Sequence, residues 1–348
     1  MTGPIVLAAG GTGGHMVPAH VLAGELIARG RRVVLFSDER GLRLPGLFEG
    51  VERHTLASGS PARGGLPATL AGIARGVWTA RGLLGRLKGA VVVGFGGYPS
   101  LPALVAALAM RLPTVIHEQN AVLGRVNRRL APYVDAIGTS YPRVARLAEG
   151  LAGRVRIVGN PVRAEIAAIG AVPAHERLDV LVLGGSQGAS VFARVVPAAL
   201  ATLGQAVAVT QQARAADLDD VRVAYATAGV QAEVAPYFED VPTRLANADL
   251  VITRAGASTI AELTAAGRAS ILVPLPSAMD DHQTANAAAL VDAGGALMIA
   301  ESDFTAERLT AALLQLTPAR LDAMALAARA AGRPDAAARL ADLVLETL

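Results

Sequence analysis

The sequence predicts an α/β fold made of two Rossmann-like domains, each built on a parallel sheet. The chain has 348 residues, of which 52% are hydrophobic, so it can bury enough surface for about two domains. Short apolar runs typical of strands alternate with alanine- and leucine-rich helical patterns, as in βα units. Two of these runs lead into similar glycine-rich turns, "GGTGGH" at 10–15 and "GGSQGAS" at 184–190, and each turn predicts the start of a domain.

Two series of predicted strands locate the domain boundary. The first series comprises 5–9, 32–36, 90–93, 114–117 and 156–158. The second comprises 179–183, 206–210, 230–234, 250–253 and 270–273. We therefore expect domains at 1–162 and 163–332, with ligands bound where the carboxyl ends of both sets of strands face a central cleft. A last helical segment at about 333–348 follows a Gly/Pro break, and the residues alone do not decide which domain it contacts.

Charge is divided unevenly along the chain. Residues 1–163 carry 20 Lys+Arg and 8 Asp+Glu, and the remainder carries 12 and 21, so the two parts have net charges of +12 and −9. This asymmetry favours contact of the first part with a membrane, a nucleic acid or a phosphorylated substrate. Genome composition is a second explanation, because Lys88 is the only lysine. Aromatic residues make up only 3% of the chain and do not interleave with the basic ones, which argues against nucleic acid.

Composition also limits the compartment and the cofactor chemistry. The chain has no cysteine, which excludes disulfides and cysteine-based metal or redox sites and fits a reducing compartment. It shows no basic leader and no apolar stretch long enough to cross a bilayer, so we expect a cytoplasmic location. The histidines lack the spacing of zinc motifs, and the pair Asp217 and Asp219 fits helix-start carboxylates better than a metal site. We therefore expect neither a metal ion nor a cofactor.

The opening loop "GGTGGH" fits neither of the common nucleotide-binding motifs. A dinucleotide fingerprint needs a third glycine where the chain has Met16, and a P-loop needs Gly-Lys-Ser/Thr where it has His15 and Met16. The glycines instead predict close approach of the backbone to a ligand, with a helix beginning near Val17 and Pro18 whose N–H groups favour an anion. His15 then lies at the positive end of this helix, which keeps its imidazole neutral, as a general base requires. The alternative is a loop histidine that only caps the turn.

Two loops of the second domain carry polar groups at predicted helix starts. "GGSQGAS" offers Ser186 and backbone amides to a phosphate. "TRAGASTIAEL" at 253–263 places Ser258 and Thr259 as N-caps or ligand donors and Glu262 on the first helical turn, where a carboxylate can accept hydrogen bonds from a ribose or a sugar. A tight βα turn explains the first loop without a ligand, and capping alone explains the hydroxyls of the second.

Two more polar clusters follow predicted strands. "HEQN" at 117–120 ends a buried strand, where ligand groups belong in this fold. A second cluster precedes an alanine-rich helix and would suit the hydroxyls of a sugar, although a capped helix start explains it equally well; it contains Asp280, Asp281, His282, Gln283 and Asn286.

Residues 66–88 predict a basic amphipathic helix. No acidic residue occurs between Glu52 and Glu118, whereas seven basic residues do. Such a helix, with Trp78, could lie on an anionic bilayer surface, or it could simply pack its apolar face into the core. That face is predicted to contain Leu66, Leu70, Ile73, Val77, Ala80, Leu84 and Leu87.

The motifs together resemble the MurG family of bacterial N-acetylglucosamine transferases. The resemblance is carried, in family order and over essentially the whole length, by "GGTGGH", "GFGGYPS", "HEQNAVLGRVN", "VGNPVR", "GGSQGA", "TRAGASTIAE" and "DDHQTANA". It implies the GT-B glycosyltransferase fold, with a terminal helix that packs back on the first domain. It also implies that 1–162 faces the membrane and binds the acceptor lipid I, and that 163–332 binds the donor UDP-N-acetylglucosamine.

The resemblance further implies a set of site residues. The matching positions in the second domain are Arg163, Ser186, Phe238, Ala257, Ser258, Thr259, Glu262 and Gln283, with Phe238 beside the uracil, Glu262 on the ribose and Gln283 on the sugar. Those of the first domain are Thr12, Gly13, Gly14 and Asn120 for the donor and Gly96, Gly97 and Tyr98 for the acceptor. Many relatives have an aliphatic residue in place of Phe238, a change that a backbone contact to the base would tolerate.

The resulting hypothesis is a single inverting transfer of N-acetylglucosamine to the four-position hydroxyl of the muramoyl sugar of lipid I, giving lipid II, with His15 as the base and no metal. The expected location is peripheral, on the anionic cytoplasmic face of the cell membrane, with cell-wall synthesis proteins as further partners. Two alternatives remain open. A GT-B-like UDP-N-acetylglucosamine epimerase would need carboxylates in the cleft and no lipid acceptor, and a non-catalytic nucleotide-sugar binding protein would turn nothing over.

Overall fold

The chain folds into two compact α/β units. The computed structural model describes residues 3–11, 13–59, 65–172, 177–185, 188–204 and 206–348, without the side chain of Leu66. The first unit is Met1–Val162 together with Arg333–Leu348, and the second is Arg163–Gly332. The polypeptide therefore leaves the first unit once and returns to it at the end.

The described part of the first unit is built on a seven-stranded parallel sheet. Its strands are β1 (Ile5–Ala8), β2 (Val33–Ser37), β3 (Glu52–Thr55), β4 (Val91–Gly94), β5 (Thr114–Glu118), β6 (Ala136–Thr139) and β7 (Val155–Ile157). They lie in the order β3-β2-β1-β4-β5-β6-β7. Every residue of β1, β2, β4 and β5 is buried, because helices cover both faces of the sheet.

Helices complete two cores, one on each face of this sheet. The helices of the unit are α1 (Gly13–Ala28), α2 (Glu39–Leu42), α3 (Gly65–Arg86), α4 (Gly97–Ala109), α5 (Arg125–Leu130) and the terminal helix α14 (Ala336–Glu346). On one face, α1 and α14 pack together and bury Leu22, Leu26, Leu340 and Val344 against the strands. On the other, α3, α4 and α5 contribute Leu84, Leu104 and Leu130.

The second unit repeats the same plan with a six-stranded parallel sheet in its described residues. The strands are β8 (Leu178–Leu183), β9 (Val207–Gln212), β10 (Gln231–Ala235), β11 (Leu250–Thr253), β12 (Ala269–Leu272) and β13 (Ala296–Met298), in the order β10-β9-β8-β11-β12-β13. The helices are α6 (Ala164–Ala167), α7 (Ser190–Ala201), α8 (Leu218–Thr227), α9 (Val241–Asn247), α10 (Ala257–Ala266), α11 (His282–Asp292), α12 (Ala306–Leu313) and α13 (Pro318–Ala331). The predicted α/β class with two parallel sheets is confirmed.

All ten predicted strands are present within two residues of their predicted ends, and three strands were not predicted. β3 has the polar sequence "ERHT", β6 contains a glycine and β13 has only three residues. None of the three has the apolar run that signals a strand. Each forms because a stronger neighbour offers its backbone for pairing: β2 for β3, β5 for β6 and β12 for β13.

The first helix begins four residues earlier than the predicted start near Val17. α1 starts at Gly13, so Pro18 lies inside the helix and His15 lies in its first turn, not in the preceding loop. Glycines are tolerated at a helix start because the first N–H groups have no partner within the helix. The preceding Gly11 has a φ of +81° and donates its N–H to Asp38 Oδ1 at 2.8 Å, which fixes the approach of the chain.

The predicted apolar face of α3 is wrong in its first half. Leu70 is 57% exposed, whereas Gly72 and Gly76 are buried. A Cβ at Gly76 would lie 2.1 Å from the Ala57 carbonyl oxygen and 3.0 Å from Pro102 of α4. The glycines therefore let α3 approach its neighbours closely. The buried face of α3 runs along Gly72 and Gly76 and coincides with the predicted face from Ala80 onward.

A buried arginine ties together the loops at the amino ends of the strands in the second unit. Arg268 is only 1% exposed, and its guanidinium donates to the carbonyl oxygens of Gly170, Leu245, Ala246, Ala266 and Gly267 at 2.6–3.2 Å. Burial, and then the nearby charge of Arg329, lower the pKa of Arg268 to about 10. The guanidinium remains charged at neutral pH and satisfies the last carbonyls of α9 and α10, which no helical N–H can reach.

Replacing this arginine should cost much of the stability of the second unit. Arg268→Ala would leave several buried carbonyl oxygens without donors, and we expect a loss of roughly 3 kcal/mol or more. Urea unfolding followed by circular dichroism measures it, with Arg320→Ala, an exposed arginine on α13, as the matched control. Equal unfolding midpoints for the two variants would show that water replaces the guanidinium without loss.

Candidate active site

A pocket of about 660 Å³ lies in the first unit at the carboxyl ends of β1 to β4. Both glycine-rich loops of this unit line it, through Gly11, His15, Gly97 and Tyr98. The predicted base and two of the predicted acceptor residues therefore share one pocket. Ligands are expected at this edge of an open parallel sheet.

His15 lies directly over the second glycine-rich loop. A Cβ built on Gly97 would lie 3.3 Å from His15 Nε2, and Gly97 has a φ of +70°, which disfavours any other residue. The imidazole is half-buried and lines the pocket. Its position supports a role in chemistry within this pocket more than a role as a simple cap.

The loop that carries the predicted acceptor residues is held against α5. Gly96 has a φ of +80° and precedes α4 as its N-cap, and a Cβ there would lie 3.2 Å from Asn127 Nδ2. Tyr98 is half-buried beside Gly97. Glycine at both positions lets the backbone adopt positive φ angles at the entrance to α4, and the first residues of this helix line the pocket.

The "HEQN" segment divides into a buried part and one accessible residue. Glu118 is buried and accepts hydrogen bonds from the main chain of Asn120 and Gly124 and from the side chain of Asn127, at 2.9–3.0 Å. Gln119 donates to the Phe95 carbonyl oxygen at 3.0 Å. Asn120 is half-buried, so it alone of the four can reach a ligand readily.

His117 has a structural role. Its Nε2 bonds the Gly159 carbonyl oxygen at 2.8 Å and its Nδ1 bonds Gln119 Nε2 at 3.1 Å, so the neutral ring has a partner at each nitrogen. Burial lowers the pKa of His117 to about 4, with a small opposing effect of the Gly159 carbonyl. A histidine that stays neutral and fully buried is not available for proton transfer to a substrate.

In the second unit, the predicted donor residues surround the start of α10. Gly256 is the N-cap, and Ala257, Ser258 and Thr259 form the first turn. The predicted N-cap role of the two hydroxyls is therefore wrong, and Glu262 lies on the second turn, not the first. Ser258 Oγ is buried and has no hydrogen-bond partner among the described residues, so it is available to a ligand.

Arg163 and Glu262 form an ion pair at 3.4 Å, with side chains 37% and 22% exposed. Burial raises the pKa of Glu262 above its ordinary value, and the charge and hydrogen bond of Arg163 oppose that rise. The arginine thus favours the ionised carboxylate, which is the form that accepts hydrogen bonds from paired hydroxyls.

Gln283 and Asn286 on α11 hold the backbone in front of α10. Gln283 Oε1 accepts from the N–H groups of Ala255 and Leu275 at 3.2 and 3.0 Å, and Asn286 Nδ2 donates to the Ala255 carbonyl oxygen at 3.1 Å. Two main-chain donors fix the orientation of the Gln283 amide, so its NH₂ group is the part directed to other partners. Asn286 is fully buried, so its role here is structural.

Phe238 is buried, and the Arg244 guanidinium carbon lies 4.0 Å from its ring centroid. Arg244 in turn bonds Glu233 and Asp240 at 2.6–2.8 Å. Because the ring is covered, the main chain of Phe238 is the part that a ligand would contact.

Arg254, which was not among the predicted site residues, holds the loop between β11 and α10 in place. It follows β11 directly, donates to the carbonyl oxygens of Val273 and Pro274 and forms an ion pair with Glu301. Its position immediately after a buried strand was the available signal, because that edge of the sheet carries the functional loops.

The remaining residues considered in the sequence analysis are two glycines of the opening loop, two residues outside the described ranges and the two aspartates of the D-x-D sequence. Gly13 and Gly14 open α1 and lie beside the pocket residues Gly11 and His15. Thr12 and Ser186 lie outside the described residues. Asp217 pairs with Arg214 at 2.7 Å and Asp219 with Arg222 at 3.3 Å, so both carboxylates of the D-x-D sequence have arginine partners.

Comparison with known protein families decides the classification. Residues 5–139 match the N-terminal domain of glycosyltransferase family 28, and residues 179–340 match its C-terminal domain. The chain belongs to glycosyltransferase family 28. The two matched segments correspond to the two units, so both candidate ligand regions lie in family-28 domains.

The family-28 chain is similar to full-length relatives. It is 51% identical to the UDP-N-acetylglucosamine–N-acetylmuramyl-(pentapeptide) pyrophosphoryl-undecaprenol N-acetylglucosamine transferase of Rhodospirillum centenum, over 98% of this chain and 94% of that one. It is 52% identical to the protein of the same name from Sphingopyxis alaskensis, over 97% and 90%. The crystal structure of Acinetobacter baumannii MurG matches with a TM-score of 0.82 and 29% identity, covering 99% of each chain, and this agreement confirms the GT-B fold.

The Arg163–Glu262 ion pair should affect both the pKa of Glu262 and the stability of the family-28 chain. Arg163→Ala should raise the pKa of Glu262 further, because burial remains while the favourable charge is lost. A raised folded-state pKa means that ionising Glu262 opposes folding. The variant should therefore be less stable than the wild type at neutral pH, and the difference should vanish as pH falls below the ordinary range of glutamate. Carbon NMR of glutamate-labelled protein measures the pKa.

Arg339→Ala is the control, because Arg339 pairs with the half-exposed Asp335 in the other unit. It should leave the titration of Glu262 unchanged. A Glu262 titration that is identical in wild type and Arg163→Ala would show that the pair has no electrostatic effect.

Proposed function

We propose that this chain transfers N-acetylglucosamine from UDP-N-acetylglucosamine to the four-position hydroxyl of the muramoyl sugar of lipid I, giving lipid II for peptidoglycan synthesis. The observation that carries the proposal is about 50% identity, over 97–98% of the chain, to transferases whose names state this donor and this type of acceptor. The residues described above fit both substrates.

The second unit is the proposed donor domain. The ionised Glu262, supported by Arg163, would accept hydrogen bonds from the two ribose hydroxyls. The free end of the Gln283 amide would donate to the sugar, and the main chain near Phe238 would contact the uracil. Ser258, with Ala257 and Thr259 on the first turn of α10, supplies hydroxyl and amide donors beside the ribose. Ser186 is assigned to the same site by the family pattern.

The first unit is the proposed acceptor domain. Its pocket combines His15 with Gly97 and Tyr98, and Gly96 precedes them as the N-cap of α4, whose first N–H groups would receive an anionic diphosphate. Asn120, Gly13 and Gly14 lie at the same edge of the sheet and would contact the donor sugar, together with Thr12.

The proposed reaction is one in-line displacement with inversion. The acceptor oxygen bonds to the anomeric carbon of N-acetylglucosamine while the bond from that carbon to the diphosphate oxygen breaks, and UDP leaves with the bonding electrons. The imidazole of His15 takes the hydroxyl proton. Charge builds on the sugar ring as an oxocarbenium ion and on the leaving diphosphate, which backbone amides and Arg163 would stabilise.

The alternative functions have weaker support. A UDP-N-acetylglucosamine 2-epimerase from Listeria monocytogenes matches with a TM-score of 0.69 but only 16% identity, which shows a shared fold alone. A non-catalytic binding protein would not need a histidine placed over an acceptor loop.

The decisive test is transfer of labelled N-acetylglucosamine from its UDP donor onto a short-chain lipid I analogue, with chelator present and with a control that lacks acceptor. We expect labelled product only with the acceptor. His15→Ala should lower kcat by about 10²–10⁴-fold with little change in UDP affinity, because the base is lost while the donor domain is intact. His54→Ala, on the edge strand β3, is the control.

Three outcomes would contradict these assignments. Donor conversion without any acceptor would favour the epimerase, and UDP-sugar binding without turnover would favour the binding protein. A fully active His15→Ala variant would remove His15 from the role of base.

We also propose that the first unit binds the cytoplasmic face of the membrane peripherally through α3. Trp78 is 80% exposed and Leu70 is 57% exposed on this helix, and Arg75 and Arg81 are exposed beside them. Apolar and basic side chains together suit an anionic bilayer surface, and the cytoplasmic leaflet carries negative charge. Among the helices within the described residues, none has both the length and the apolar character to cross a bilayer.

The membrane proposal makes a separate prediction. The double substitution Leu70→Ser and Trp78→Ser should weaken binding to phosphatidylglycerol vesicles at least tenfold or so, because both apolar side chains leave the interface. Co-sedimentation measures binding, and added salt should weaken it in the wild type. Leu326→Ser, at a residue 71% exposed on α13, is the matched control. Equal vesicle binding by both variants would place the membrane contact elsewhere.

A further inference from the structure

An aspartate at the end of β2 holds the opening loop of the first unit. Asp38 is buried, and its Oδ1 accepts hydrogen bonds from the main-chain N–H groups of Gly11 at 2.8 Å and Gly41 at 3.0 Å. It thereby caps α2 and fixes the loop that leads into α1. Its second oxygen, Oδ2, accepts from Arg40 Nε at 3.2 Å.

This bond places a guanidinium over the main chain of Gly11. A Cβ on Gly11 would lie 3.6 Å from Arg40 Nη2, which is ordinary contact distance, so the guanidinium lies against the main chain of this glycine. The side chain of Arg40 is 52% exposed, whereas that of Asp38 is 10% exposed. The carboxylate is therefore buried beneath the loop, and the guanidinium faces the pocket that also contains His15.

The ion pair engages only one end of the guanidinium. Asp38 binds Nε, which leaves the Nη1 and Nη2 side of the planar group directed away from the carboxylate. An arginine in this arrangement can donate two further parallel hydrogen bonds to one anion, which a lysine cannot do.

An arginine of the second unit shows the contrasting arrangement. Arg214 follows β9, the strand beside β8 as β2 lies beside β1, and its Cγ lies 2.5 Å from the position of a Cβ on Gly188. It pairs with Asp217 through both Nε and Nη2, at 2.7 and 3.0 Å. The Nε–Nη2 edge of that guanidinium therefore binds one carboxylate, whereas Arg40 pairs with Asp38 through Nε and lines a pocket.

We propose that Arg40, positioned by Asp38, binds the diphosphate of the acceptor. This inference rests on the proposed function, which brings a lipid-linked diphosphate to the first unit. A diphosphate offers adjacent oxygens that match the two terminal nitrogens of a guanidinium, and the first residues of α4 line the same pocket. Carboxylates of the acceptor peptide are the competing anions, and the test separates the two.

The test measures acceptor binding in the absence of donor, by calorimetry with a short-chain lipid I analogue. Arg40→Ala should weaken acceptor binding roughly tenfold, because two charge-assisted hydrogen bonds are lost. Its affinity for UDP should stay at the wild-type value, since the donor domain is unchanged. Arg32→Ala is the matched control: Arg32 precedes β2, pairs with Glu52 at 2.7 Å and lies outside the pocket.

Two further arms identify the role of Asp38 and the source of the anion. Asp38→Asn keeps a carbonyl oxygen for the N–H groups of Gly11 and Gly41 but removes the charge that holds Arg40, so acceptor affinity should fall by an intermediate factor of about three. With an acceptor that lacks the peptide, the effect of Arg40→Ala should persist. Disappearance of that effect would assign Arg40 to a peptide carboxylate and overturn the proposal.

Failure of this inference is distinguishable from failure of the proposed function. Normal wild-type transfer with unimpaired acceptor binding by Arg40→Ala would overturn the role of Arg40 alone. Equal losses of UDP and acceptor affinity would also overturn it, because they would indicate general damage. Absence of acceptor binding and transfer in the wild type would overturn the proposed function and this inference together.

Discussion

The buried carboxylate of Glu118 is the interaction on which the arrangement of the first unit depends. It ends the interior strand β5 and accepts hydrogen bonds from the loop that follows this strand and from Asn127 on α5. Asn127 in turn lies against Gly96, and the neighbouring His117 bonds the carbonyl oxygen of Gly159 beyond β7. One buried network therefore fixes three loops at the carboxyl edge of the sheet, and a rigid edge of this kind would hold the proposed base in place.

In the second unit, two amide side chains and one arginine hold the loops at the corresponding edge of the sheet. Gln283 accepts a hydrogen bond from the N–H group of Ala255, and Asn286 donates one to its carbonyl oxygen. Arg254 donates to the carbonyl oxygens that follow β12. Ser258 and Glu262, which would contact the donor, lie on α10. Side chains of α11 hold the main chain just before the start of this helix. In the first unit, the side chains that hold the loops, Glu118 and Asn127, are more deeply buried than His15, as expected where supporting contacts set the precision of a site.

The strands and the site loops could be predicted from sequence because long apolar runs and glycine-rich turns have direct physical causes. The start of α1 could not be predicted from sequence, because glycines at 13 and 14 are typical of a loop. In the structure, the hydrogen bond from Gly11 to Asp38 fixes the chain just before the helix begins. β3 and β6 depend on pairing with neighbours, which no local pattern encodes. The roles of Arg40 and Arg254 could not be predicted for the same reason, because the role of an arginine depends on the pocket or the carbonyl groups that it contacts in the folded chain.

The return of the chain to its first unit has a consequence for its synthesis. The core on one face of the first sheet contains Leu340, Ala341 and Val344 of α14, together with Leu22 and Leu26 of α1. A ribosome makes these two sets of residues more than 300 positions apart, with the whole of the second unit between them. During synthesis, the part of this core that α14 covers therefore stays open until the second unit has been made, and open apolar surface of this kind favours aggregation.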